Sequence, residues 1–167
     1  MVFALALVAS ISGCKPEPEG ELGTPYDKVV GLYGTWELET VLQHDVCNDY
    51  LKPVELTEFY RDGVTPPMTM TINENGNYSV SIERGRNFFG EQGTWEINNP
   101  EFPSFLNMQL TDVFGGEIDS LQANLGSIVR PHDNAMSLEF HTHICNLYSQ
   151  NPCPDEAVYY TFNFIRN

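Results

Sequence analysis

From Thr35 onward the chain alternates apolar and polar positions with a period of two, the signature of strands that bury one face. In "TWELETVL" the residues Trp36, Leu38, Thr40 and Leu42 fall on one side, with Glu37 and Glu39 on the other. The same period organises "MTMTI" (Met68, Met70, Ile72), "YSVSI" (Tyr78, Val80, Ile82) and "TWEI" (Trp95, Ile97). It continues through "LNMQL" (Leu106, Met108, Leu110), "MSLEFHTHI" (Met136, Leu138, Phe140) and "VYYTFNF" (Val158, Tyr160, Phe162, Phe164). Strands apolar on one face only predict an antiparallel, all-β domain. One more strand is expected between Ile118 and Arg130, with "GSIVR" the best-placed segment, for about eight in all.

Side-chain parity types the turn in "NENGNY". A two-residue loop at Asn75-Gly76 would set inward Ile72 opposite outward Ser79, whereas a three-residue loop pairs Ile72 with Tyr78, Met70 with Val80 and Met68 with Ile82. The three-residue loop is therefore predicted, as a type I turn with Gly76 in the left-handed bulge position. The long segment "HDVCNDYLKPVELTEFYRDGVTPP" separates the first two strands, and a short helix is expected from Pro53 to Tyr60 before Gly63 and Pro66-Pro67 stop it. A connection of that length is usually a lid, a binding loop or disordered.

Of 167 residues, 23 are acidic and 8 are Lys or Arg, a formal net charge of -15. That excludes a nucleic-acid or anionic-membrane binder, both of which need cations to neutralise phosphates. The N-terminus adds an address. Val2 to Ile11 is an apolar stretch too short to span a bilayer, and it reads as a signal peptide. Ile11-Ser12-Gly13-Cys14 resembles the bacterial lipobox, which implies a lipid-modified Cys14 as the first mature residue, anchored by more than one acyl chain. "KPEPEGELGTPY" then holds three Pro and three Glu, a composition suited to an extended tether. The expected organisation is a signal peptide over 1–13, a lipidated tether over 14–30 and one barrel domain over 31–167. The expected location is the outer membrane, on its periplasmic or cell-surface side.

The lipobox, the Gly-x-Trp at Gly34 and Trp36, the "NENGNY" hairpin, the second "GTWEI" strand and the aromatic "VYYTFNFIRN" together resemble the bacterial lipocalin-like (calycin) lipoproteins. The resemblance runs from about Leu32 to Arg166. It implies an up-and-down β-barrel of about eight strands and a small apolar or glycan-like ligand inside it. No ligand-binding residue carries over by motif, only the structural Gly34 and Trp36.

No nucleophile elbow, H-E-x-x-H or phosphate loop is present, so the expectation is a protein that is not an enzyme and uses no cofactor. In a closed barrel, Cys47, Cys145 and Cys153 all fall at one rim, where two of them are candidates for a disulfide. The same rim collects His44, His141 and His143; an H-x-H strand can chelate a metal with a third ligand, although solvent-facing histidines on an amphipathic strand need no such explanation. The barrel interior is expected to hold Trp36, Leu38, Met68, Met70, Tyr78, Val80, Trp95, Met108, Leu138, Phe140, Tyr160 and Phe162, either as a packed core or as the lining of a ligand cavity. The pentapeptide "GTWEL" at Gly34 recurs as "GTWEI" at Gly93. With eight strands the two copies run in opposite directions, which predicts Trp36 at the closed floor and Trp95 near the rim. Two functions follow. A ligand binder would show a continuous apolar cavity, whereas a filled barrel with exposed apolar residues over 46–66 would fit an accessory protein that docks on another envelope protein.

Overall fold

In a computed structural model of the chain the described residues are 27, 29–46, 50–61, 63, 68–111, 116–126, 134–142 and 158–166. A 3-10 turn, Val30–Leu32, leads into β1 (Gly34–Asp45), β2 (Val54–Glu55), α1 (Thr57–Arg61), β3 (Met68–Ile72), β4 (Asn77–Ile82) and β5 (Gln92–Ile97). The chain continues through β6 (Phe105–Thr111), β7 (Glu117–Leu125), β8 (Ala135–Thr142) and β9 (Val158–Ile165). Every pairing is antiparallel, successive strands are neighbours from β3 to β9, and β9 returns to β1. The result is a closed eight-stranded up-and-down barrel, with β2 as a two-residue addition on the edge of β1; the alternation predicts the antiparallel strands, and the resemblance implies their closure.

The hairpin register is the predicted one: Ile72 faces Tyr78, Met70 faces Val80 and Met68 faces Ile82. Gly76 sits at φ 82°, where only glycine is unstrained. Three expectations need correction. The additional strand is β7, Glu117–Leu125, which ends before "GSIVR". The helix is shorter than Pro53 to Tyr60, because Val54 and Glu55 pair with Gln43 and Leu42 of β1. The alternation in β1 breaks at a bulge between Leu38 and Thr40, so Val41 turns inward and Thr40 does not. Thr40 instead accepts a hydrogen bond from the Asn163 side chain at 2.8 Å.

All twelve residues expected inside the barrel are buried, the most exposed being Tyr160 at 9%. Among the described residues, the space between them is taken up by a loop. The β4 to β5 connection, residues 83–91, folds into the barrel and inserts Phe88 and Phe89. Phe89 is fully buried against Phe140, Phe162 and Phe164, with centroids 5.2 to 6.4 Å away in edge-to-face geometry. Phe88 meets Phe140, Tyr160 and Phe162. Polar contacts fix this plug. The Tyr78 hydroxyl donates to Phe89 O, the Tyr60 hydroxyl donates to Arg86 O, and Asn87 both accepts from Phe89 N and donates to Gly90 O.

The floor is closed by the N-terminal turn. Trp36 Nε1 donates to Leu32 O at 2.8 Å, and the Arg166 guanidinium lies 4.1 Å over the indole while donating to Gly31 O. Trp95 lies at this same end and not near the rim. Its backbone N–H donates to Gly76 O, its indole donates to Asn73 O, and Tyr33 packs edge-on against it at 5.9 Å. The strand order behind the expectation holds, and the plug is what moves Trp95. Because residues 83–91 occupy the upper barrel, β5 begins only opposite Ser79 and carries Trp95 past the β3 to β4 turn.

Candidate functional site

Two features of the rim side are built by the segments between strands. The first is the inlaid insertion. Among the described residues β1 pairs with β3 through Gly34–Glu37, and beyond that point its edge groups need other partners. The insertion supplies them. Arg61 Nη2 donates to Glu39 O at 2.7 Å, Val41 N donates to Thr57 Oγ1 at 3.1 Å, and Leu56 N donates to Val41 O at 2.8 Å. Tyr60 is buried and meets Phe162 edge-on at 5.6 Å, so α1 closes the wall where β1 and β3 part. Burial pushes the Tyr60 phenol up to about 12, with Tyr160 adding to the rise and Arg86 opposing it. Burial alone pushes Tyr78 up to about 12.

While one side of the insertion is locked into the barrel, the other exposes four large apolar side chains among the charged residues Lys52, Glu55 and Glu58. Tyr50, Leu51, Val54 and Phe59 are 98, 59, 57 and 71% exposed. They are four of the six exposed large hydrophobic residues among the described residues, Val30 and Phe102 being the others. Beside Phe59 a hollow of about 500 Å³ is lined by Glu58, Arg84 and Gly85, so α1 and the plug form one continuous surface there.

The second feature lies across the barrel mouth. Among the described residues β7 and β8 pair only at Asn124 with Glu139 and Leu125 with Leu138. Nearer the rim, a hollow of about 390 Å³ sits between Asp119, Ser120 and Leu121 of β7, His141 of β8, Leu110 of β6 and the plug residues Arg86 to Phe88.

The expected histidine cluster resolves into a row of rings on three neighbouring strands. His44 of β1 stacks on Tyr159 of β9 at 4.2 Å and 6°, and His141 of β8 lies 5.4 Å from the other flank of Tyr159. His44 Nε2 is also 3.1 Å from Thr161 Oγ1. The Tyr159 ring thus stands between the two imidazoles, on strands that are not neighbours. His143 lies outside the described residues, as do Cys14, Cys47, Cys145 and Cys153. Among the described residues no three His, Cys, Asp or Glu side chains converge to hold a metal.

No family model matches the chain, and neither does any curated protein or solved structure. The site stands on its own geometry. Alternation could not reveal Arg86 or Phe88, because they belong to a plug without period. One signal was nonetheless available: two consecutive Phe, bracketed by Gly85 and Gly90, form an apolar pair that no exposed turn requires. Both glycines have positive φ, 88° and 70°, so they shape the two ends of the inserted loop.

Proposed function

We propose that this chain is a lipoprotein anchored through Cys14 on the outer side of the cell envelope, whose barrel is a rigid platform that docks another envelope protein through the β2–α1 insertion. The observation that carries this reading is the combination of a barrel holding the Phe88–Phe89 plug with the four exposed large apolar residues of one insertion, Tyr50, Leu51, Val54 and Phe59. The plug takes the volume in which an interior apolar ligand would sit, so the lipocalin-like resemblance contributes the scaffold and the tether to this reading, not a calyx. The insertion is held by the side chains of Thr57, Tyr60 and Arg61 and by Leu56 N, which presents its apolar residues preorganised and lowers the ordering cost of association. An acidic body would favour a partner with a cationic rim around its apolar patch. Catalysis has no part in this reading.

A photo-crosslinking residue placed at Phe59 in the full chain, in intact cells, is expected to trap one defined envelope protein. The same residue at Ser79, exposed on β4, should trap none, and Phe59→Glu should abolish co-purification of the trapped protein while leaving the unfolding temperature unchanged. Equal adducts from both positions, or no loss with Phe59→Glu, would overturn the docking surface.

A further inference from the structure

We propose that the hollow between β7, β8 and the plug binds a neutral, polyhydroxylated ligand of sugar-like chemistry. At about 390 Å³ it falls within the range of small-molecule sites, roughly 300 to 1,000 Å³. Its lining combines an apolar floor with a polar wall. Phe88 and Leu110 form the floor, and Phe88 is held in place by Phe140 at 5.3 Å and Tyr160 at 4.8 Å. Arg86 lies 4.6 Å over the Phe88 ring, which stations a planar donor at the edge of the hollow. Asn87 spends its carboxamide on the plug backbone, so it positions Arg86 and Phe88 rather than meeting a ligand.

The opposite wall carries Asp119, Ser120 and His141. Asp119 accepts from Ser120 N at 2.8 Å, which leaves the carboxylate with further lone pairs for an incoming hydroxyl. Arg86 and Asp119 cancel in charge, so the lining selects for neither cation nor anion. A single guanidinium within a chain of net charge -15 is poorly matched to a phosphate or sulfate. An acyl chain would strip water from the polar wall without replacing its hydrogen bonds. Hydroxyls that donate and accept, on a ring with an apolar C–H face, satisfy both walls together. The hollow meets the insertion only through the plug, where Arg86 O accepts from Tyr60, and Tyr50, Leu51, Val54 and Phe59 are not among its lining residues, so the two proposals are tested by different variants.

The test is titration of the full chain with lactose and maltose, followed by amide chemical shifts, with alanine and inorganic phosphate as comparison ligands. Saturable shifts at Ser120 and Leu121 from the disaccharides are expected. Asp119→Asn and His141→Ala, both at exposed positions, should each weaken that binding roughly tenfold by removing a hydrogen bond, with unfolding temperatures unchanged. If a variant does not fold, the location of the wild-type shifts decides. Absence of disaccharide binding, shifts confined to other regions, equal affinity in both folded variants, or response only to alanine or phosphate would each overturn the proposal.

Discussion

The two copies of "GTWE" show how one residue type answers two constraints. Gly34 has φ 123°, a conformation that side chains resist, and Arg166 lies 3.7 Å from where a Cβ would stand. Gly93 is instead a matter of close approach, since a Cβ there would fall 2.0 Å from Gln109 O and 2.7 Å from the Tyr78 ring. Gly93→Ala is therefore expected to destabilise the barrel by about 3 kcal/mol, read as a lower denaturant midpoint. The sequence shows that glycine is used twice at this position, while the reasons for it need the neighbours. Tyr60 and Tyr78 give a second residue-scale prediction. Their phenols ionise near 12 in the fold against 10.0 in an open chain. From pH 10 upward the unfolded state loses protons that the folded state keeps, so stability is intact below that pH and falls as it rises toward 12. Tyrosinate absorbance in an alkaline titration should show a late step coincident with loss of near-UV circular dichroism, reduced in amplitude in Tyr78→Phe.

At the scale of elements, alternation was informative wherever a strand had strong apolar residues on one face and a regular ladder. The β3 to β4 hairpin was legible to the residue because a shift of one would have turned Ile72 outward. Two elements were not legible, for separate reasons. β7 offers Leu121 and Leu125 with only Ala123 between them, a weaker pattern than "GSIVR". The bulge in β1 is invisible to a period-two reading because Thr40 is tolerated on either face. The plug is a third kind of case, since its partners Phe140, Phe162 and Phe164 are distant in sequence and no local pattern announces them. Phe89→Ala should cost about 3 to 5 kcal/mol through lost burial and the void left behind. The variant should keep its β circular dichroism and gain binding of a small apolar dye, because the space that Phe89 fills then opens among aromatic walls. An unchanged unfolding midpoint would contradict the plug's role as core.

On the scale of the whole molecule, the proposed anchor and the barrel are separable in experiment. Cys14→Ala is expected to move the protein from the membrane fraction to the soluble one without altering its unfolding, and retention in membranes would sink the anchoring proposal. The proposed docking residues, the hollow and the plug all depend on the barrel being closed, and closure itself depends on β9. β9 borders both β1 and β8 and brings Phe162 and Phe164 onto the plug. The contact between Thr40 and Asn163 spans 123 residues, which makes this a topology that forms slowly. For a chain delivered N-terminus first, by a ribosome or through a translocation pore, the first strand must wait with one edge open until the last has emerged. Delivery therefore sets the clock for folding: a barrel closed by its final strand stays threadable for as long as it is being threaded, and becomes rigid only on arrival.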